Sequence, residues 1–159
     1  MGLVQRWNPT GGPRPIGKYA QLSSPSPGTR MVFIAGQVGN DGSGALLEGV
    51  AAQTRQALAN VEALAAAVGA GPQDLIRLLT FVVDAQNLPE YYAARDEVYE
   101  RWFPDQDYCG HSLAVVAALA QPGVLIEVEG WVAVPEHAPR ADPADPAGAT
   151  ALADTDGPG

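Results

Sequence analysis

Two glutamates two residues apart, Glu127 and Glu129, lie in an otherwise apolar segment near the C-terminal end of the chain. Alternate side chains of a β-strand point to the same face, so both carboxylates share one side of the strand, roughly 7 Å apart. A carboxylate on a buried surface is costly unless it is paired, hydrogen-bonded or facing a wet cleft. Two interpretations stay open: a salt-bridged or exposed strand face, or a cleft carboxylate that acts as a general acid or base.

Three further side chains could take part in chemistry. His111 opens the preceding apolar segment, where an isolated histidine can be a surface residue or an acid/base group. Cys109 lies two residues earlier, without a motif that would activate its thiol as a nucleophile. Tyr19, within the segment GKYAQ, can equally orient a ligand or pack against the core. Residues 40–44 (NDGSG) lack the lysine of a phosphate-binding loop and predict a hairpin turn.

The composition excludes several classes of function. The chain has 159 residues, 9 basic against 18 acidic side chains, and a formal charge of −9. Nucleic acids and anionic membranes are bound by basic patches, so neither is an expected partner. One cysteine cannot form an intrachain disulfide, and two histidines cannot build a zinc cluster. With no apolar run near the roughly 20 residues of a membrane span, we expect a cytoplasmic protein without a metal site.

A change of composition after Val134 predicts where the folded domain ends. Residues 135–159 consist mostly of Pro, Ala, Asp and Gly and offer almost nothing apolar to bury. Such a segment cannot offset the entropy of ordering itself. The prediction is one folded domain over residues 1–134 and a disordered tail over 135–159.

Hydrophobic periodicity predicts two helices among four main strands. The strands are predicted at 31–38, 75–83, 111–119 and 124–134, the helices at 49–68 and 87–103, and weaker extended pieces at 18–22 and 45–47. Asn87 and Glu90 have the spacing of a capping box. This order favours an α+β fold, one sheet covered by two helices. Because strands 31–38 and 75–83 are apolar on both faces, a second copy of the chain is expected to cover the open face.

The two last strands place His111 and Glu127 far apart if they form a simple hairpin around residues 120–123. His111 would then pair near Val132, and Glu127 would lie some 15 Å away along the strand. The two side chains could share a cleft only across a subunit boundary or with a different strand connectivity.

Four motifs in order resemble the Rid family, the reactive intermediate deaminases also called YjgF. They are GKYAQ at 17–21, FIAGQ at 33–37, QTRQALAN at 53–60 and IEVE at 126–129. The resemblance implies a chorismate-mutase-like α+β fold, a homotrimer with small-molecule clefts between subunits, and hydrolysis of imines and enamines without a cofactor. It also implies that Tyr19 lines the pocket and that Glu127 positions the hydrolytic water.

The resemblance is uneven at other site positions. The family's substrate-binding arginine falls on His111, or on Ser112 after a one-residue slip, and the family's strand serine falls on Ala35. The family's helix asparagine corresponds to Asp96, and its cysteine to Leu113 rather than Cys109. The candidate substrate-binding residues are Ala35, Gly36, Asp96, Cys109 and Ser112.

Without the bidentate arginine, the sequence favours a substrate other than 2-aminoacrylate, and one without a carboxylate. The hypothesis is an enzyme, in specialised metabolism, that hydrolyses, tautomerises or cyclises a small imine, enamine or enol. Glu127 would be the general base, His111 an acid/base or hydrogen-bond donor, and Tyr19 the residue that orients the substrate. The alternative is a metabolite-binding or regulatory trimer of the same fold without catalysis. A ribonuclease activity is disfavoured by the acidic charge.

Overall fold

The computed structural model describes residues 2–138, in which two helices pack on a four-stranded mixed sheet beside a small two-stranded sheet. In chain order the elements are β1 (Val4–Trp7), β2 (Leu22–Pro25), β3 (Thr29–Val38), α1 (Val50–Ala67), β4 (Leu75–Val83), α2 (Leu88–Trp102), β5 (Gly110–Val116) and β6 (Ile126–Pro135). The predicted α+β class is therefore confirmed. The predicted disordered tail falls mostly outside the described residues.

The large sheet has the strand order β3-β6-β4-β5. β6 runs antiparallel to both β3 and β4, whereas β5 runs parallel to β4. Of the two arrangements left open for the last two strands, the structure has the different connectivity and not the simple hairpin, because β4 lies between them. A parallel pair needs a crossover connection, and α2 supplies it between β4 and β5.

The core lies between the helices and one face of this sheet. The sheet contributes alternate residues of its two central strands, Leu78 and Val82 from β4 and Ile126, Val128 and Val132 from β6, all nearly inaccessible to solvent. α1 meets them with one stripe at helical spacing: Val50, Ala57, Leu58, Val61 and Ala65. Neither helix of the described residues is long and apolar enough to span a membrane.

The opposite face of the sheet, here called the open face, is not covered by helices and carries large apolar side chains. Met31, Phe33 and Trp131 expose 54%, 47% and 38% of their surface. The Phe33 and Trp131 rings are neighbours, with centroids 4.9 Å apart. Glu127 and Glu129 lie on the same face as Trp131, because they alternate along β6.

The sequence predicted the ends of helices and the short extended segments less accurately than the main helices and strands. The predicted capping box of α2 is wrong: the Asn87 amide donates to the Val83 carbonyl, and Glu90 accepts from the Ala51 N–H. The extended piece predicted at 18–22 lies further along the chain, as β2 (Leu22–Pro25). The piece predicted at 45–47 contains one isolated β-bridge, between Asn40 and Leu46.

Candidate active site

A cleft of about 520 Å³ brings together three of the predicted site residues, Tyr19, Asp96 and His111. They come from three parts of the chain: the loop before β2, helix α2 and the start of β5. The remaining walls are Ile16, Gly17, Lys18, Tyr92, Arg95 and Leu113. Since β5 is the edge strand of the sheet, this cleft lies at an edge of the fold.

Tyr19 is held in place by its own loop and by the start of β5. Its backbone N–H donates to the Gly17 carbonyl at 3.1 Å, and its hydroxyl accepts from the Ile16 N–H at 3.4 Å. The next residue, Ala20, donates to the Cys109 carbonyl at 3.3 Å, which ties the loop to the strand that carries His111.

An adjoining cleft of about 430 Å³ shares Tyr19 and His111 and adds Ser112. His111 and Ser112 are consecutive on β5, so their side chains point to opposite faces of the sheet. Both positions that the sequence left open for the family's arginine therefore line clefts at this edge.

His111 is half-buried in a small hydroxyl network on the helix side of the sheet. Its Nε2 lies 3.1 Å from Thr80 Oγ1 and 3.4 Å from the hydroxyl of Tyr91. Tyr91 donates to Thr80 Oγ1, and Nε2 is the ring nitrogen that faces both hydroxyls, as donor or acceptor according to the tautomer of the imidazole. Burial, then the positive charges of Arg95 and Arg77, lower the pKa of His111 to about 4. The imidazole is therefore neutral at pH 7.

Arg95 is a cleft residue that the sequence analysis missed. Its guanidinium lies over three tyrosine rings of α2, with distances to the ring centroids of 5.8 Å for Tyr91, 4.9 Å for Tyr92 and 5.2 Å for Tyr99. These rings are at positions −4, −3 and +4 relative to the arginine, on the same side of the helix. That spacing was a readable signal that Arg95 belongs to the packed face rather than to solvent.

Asp96 is shared between two cations. Its Oδ1 accepts from Arg95 Nε at 2.9 Å and Nη2 at 2.6 Å, and its Oδ2 lies 3.0 Å from Lys18 Nζ. Burial opposes ionisation of Asp96, but the hydrogen bonds from Arg95 and Lys18 outweigh it and hold the pKa below the usual range. Asp96 is therefore a fixed carboxylate, which cannot supply a proton at neutral pH.

Glu127 is not in this cleft within one protomer. In the register of the sheet, His111 is beside Leu78, whose side chain packs in the core, whereas Glu127 is beside Phe81. Successive residues alternate between faces, so His111 and Glu127 point to opposite faces of the sheet.

Glu127 is instead half-buried on the open face, against Gly36. A Cβ added at Gly36 would overlap with the Glu127 carboxylate, so the missing side chain leaves room for the acid. Ala35 and Gly36 are exposed on β3 and do not line the cleft of His111. The predicted residues thus form two groups on two faces.

Cys109 is not a cleft residue, contrary to the sequence prediction. It has no exposed surface, and burial raises the pKa of its thiol to about 11. A buried, protonated thiol neither touches a ligand in the cleft nor acts as a nucleophile at neutral pH.

Comparison with known proteins gives a consistent picture. The model of the family described as Endoribonuclease L-PSP matches residues 11–134. A 2-iminobutanoate/2-iminopropanoate deaminase from Salmonella typhimurium is 34% identical over 123 residues, which cover 74% of this chain and 88% of the relative. A RutC family protein from Pyrococcus horikoshii is 32% identical over 119 residues, covering 74% of this chain and 87% of its own.

A solved structure from Yersinia pestis, a protein of unknown function of the conserved Rid family, superposes with a TM-score of 0.71. It is 30% identical, and the match covers 83% of this chain and 99% of that one.

Proposed function

The chain belongs to the endoribonuclease L-PSP family, to which the Rid proteins belong, and we propose that it hydrolyses a small imine or enamine to a carbonyl compound and ammonia. The single observation that carries the proposal is the cleft in which Tyr19 and His111 meet. The relative from Salmonella typhimurium, named for imine deamination, supports the same class of reaction.

The chemistry suits a site with a neutral imidazole and a phenol. Water adds to the imine carbon, the nitrogen gains protons, and the C–N bond breaks to release ammonia and leave a C=O bond. A neutral His111 donates a hydrogen bond through its protonated ring nitrogen without carrying charge. In this proposal it binds the nitrogen or the developing oxygen, and Tyr19 orients the substrate. The same groups can assist tautomerisation or cyclisation of an enol.

The water-activating base in this proposal is Glu127 of a neighbouring copy. Within one protomer Glu127 lies on the open face, away from the cleft that holds His111. The open face also exposes Phe33 and Trp131, an apolar surface that a second copy would bury. A homotrimer in which the edge of one copy meets the open face of the next would put Glu127 beside Tyr19 and His111.

The test is turnover of 2-iminobutanoate, generated in solution, followed by ammonia and 2-oxobutanoate formation. The wild-type chain should accelerate hydrolysis, and Glu127→Gln should lower kcat by about 10²–10⁴ because proton transfer to the base is lost. Glu129→Gln is the matched control, since Glu129 is on the same strand face and should keep kcat within a few-fold. An unchanged rate in Glu127→Gln would exclude its role as base.

The alternative, a binding protein without catalysis, predicts a different result in the same experiment. In the resemblance to the Rid family, the position of the family's arginine falls on His111 or Ser112, which favours this alternative. Saturable binding of 2-oxobutanoate by calorimetry, together with no acceleration of imine hydrolysis over a panel of imines and enamines, would support it and refute the enzymatic proposal. RNA hydrolysis is not proposed, because a formal charge of −9 disfavours a phosphate-rich substrate.

A further inference from the structure

We infer that Arg95 binds an anionic group of the substrate, so that the guanidinium of this cleft comes from helix α2 instead of strand β5. The inference deepens the proposed function and rests on it for the reacting part of the substrate. It also reverses the sequence-based expectation of a substrate without a carboxylate.

The guanidinium of Arg95 is fixed in place before any ligand arrives. Its side chain is only 8% exposed, and the rings of Tyr91, Tyr92 and Tyr99 lie within 5.8 Å of it. Asp96 holds Nε and Nη2 through one carboxylate oxygen. A guanidinium that is already ordered loses little entropy when it binds a ligand, so its contacts are specific.

The charges in the cleft do not balance. Arg95 and Lys18 are two cations, and Asp96 is the one carboxylate between them. His111 is neutral at pH 7, since its pKa is lowered to about 4 by burial and by Arg95 and Arg77. The cleft therefore carries one surplus positive charge in a chain whose formal charge is −9. A partly buried cation without full compensation favours an anionic ligand.

The position of Arg95 suits the reaction as well as the charge. Arg95 and His111 line the same cleft, and the guanidinium acts on the pKa of the imidazole, so the two groups lie within electrostatic reach. A substrate whose anion contacts Arg95 therefore has its reacting carbon in the cleft that His111 lines. A carboxylate one bond from the imine carbon fits this arrangement, because its planar oxygens match a guanidinium.

The test compares two ketones, 2-oxobutanoate and butanone. They differ in one group, because butanone has a methyl group in place of the carboxylate. Binding to the full-length wild-type chain is measured by calorimetry at low salt. We expect saturable binding of 2-oxobutanoate and at least tenfold weaker binding of butanone. Equal affinity for the two ligands would overturn the inference without any substitution, so the result does not depend on whether a variant folds.

The substitution Arg95→Gln then locates the anion contact. It should weaken 2-oxobutanoate binding by about a hundredfold, as expected for loss of a charge-assisted contact, and leave butanone unchanged. Arg95→Lys should restore part of the affinity by keeping the charge without the planar fork.

Arg55→Gln is the matched control for this substitution. Arg55 also forms a bidentate ion pair with α2, to Glu97 at 2.8 and 2.9 Å, but its side chain is 48% exposed and outside the cleft. The Arg55→Gln protein should bind 2-oxobutanoate with the same affinity as the wild type. An equal loss in Arg55→Gln, or unaltered binding in Arg95→Gln, would refute the assignment.

The outcome is separable from the proposed function. If 2-oxobutanoate binding depends on Arg95 but the wild type turns over no imine, the anion site stands and the proposed reaction fails. If 2-iminobutanoate is hydrolysed with the same KM and kcat in Arg95→Gln as in the wild type, the reaction stands and the role of Arg95 fails.

Discussion

The two faces of the sheet differ in what they offer to a ligand. On the helix side, at the β5 edge, a narrow cleft holds ordered polar groups: Arg95 and Asp96 in a close ion pair, and His111 in a hydroxyl network. The open face is broad and apolar, with Phe33 and Trp131 exposed and Glu127 at one end.

Each face has what the other lacks. The cleft has binding groups but no carboxylate free to act as a base, because Asp96 is held by two cations. The open face carries two carboxylates, Glu127 and Glu129, on the same side of β6 as Trp131. This difference is the reason for the proposed active site that combines the cleft of one copy with the open face of another.

The largest effect is expected from a charge in the middle of the open face. Phe33→Glu would place a carboxylate against Trp131, and burying it in an interface would be costly without a partner. If copies assemble through this face as proposed, the wild type should sediment as an oligomer and Phe33→Glu as a monomer that no longer hydrolyses the imine.

Leu64→Glu is the control for this prediction. Leu64 is 42% exposed on α1, close to the 47% of Phe33, but it lies away from the open face. It should leave assembly and activity unchanged. A Phe33→Glu protein that remains assembled and active would show that the open face is not an interface.

Mixing two inactive variants tests whether the cleft and the open face of one site come from different copies. Glu127→Gln retains an intact cleft, and His111→Asn retains an intact open face. If the site combines two copies, a trimer that holds both chains should show about a third of wild-type activity, since one of its three interfaces pairs a native cleft with a native open face. Co-expressed, separately tagged chains would be purified through both tags and assayed for ammonia release. Activity no higher than the sum of the separate variants would place both residues in one protomer.

The fold could be predicted largely because strand and helix periods were clear. The strand predicted at 75–83 matches β4, and the helix predicted at 49–68 differs from α1 by one residue at each end. The pairing of the last two strands stayed open, because a short turn favours a hairpin locally without excluding another strand order. Placement of β6 between β3 and β4 depends on long-range pairing that no local pattern encodes.

Which of the candidate residues lie together could be predicted only in part, and their roles remain a prediction. Tyr19, Asp96 and His111 were named from the sequence and do share a cleft. Glu127 and His111 point to opposite faces of the sheet because of the strand order and the register. Neither can be read from the sequence of a single strand. Arg95 was not singled out from the sequence, where its contacts with three tyrosine rings appear only as a helical spacing of residues.

The pH dependence of stability tests how deeply the cleft buries its histidine. With a folded pKa of about 4 against an ordinary 6.5, His111 binds fewer protons in the folded state than in the unfolded state between these values. The free energy of unfolding should therefore rise by about 3 kcal/mol as the pH increases from about 4 to 6.5. The same amount of stability should be lost when the pH falls through this range.

Urea unfolding at a fixed protein concentration and a series of pH values measures this slope. His111→Asn should remove that part of the slope. His137→Asn should retain it, because His137 is exposed in the turn after β6. An unaltered slope in His111→Asn would mean that the cleft is open enough to hydrate the imidazole.

The smallest effect on activity is expected from a substitution at Gly36, next to the Glu127 carboxylate on the open face. Gly36→Ala would add a Cβ that overlaps with the Glu127 carboxylate, the movable end of a flexible side chain. The fold should therefore tolerate it with little loss of stability, while the displaced base lowers kcat by about tenfold, or 1.4 kcal/mol of transition-state stabilisation. Gly42→Ala, where an added Cβ meets nothing within 4 Å, should retain the wild-type kcat. Steady-state kinetics on 2-iminobutanoate separate the two results: an unchanged kcat in Gly36→Ala would mean that the carboxylate does not act from the position where the open face holds it.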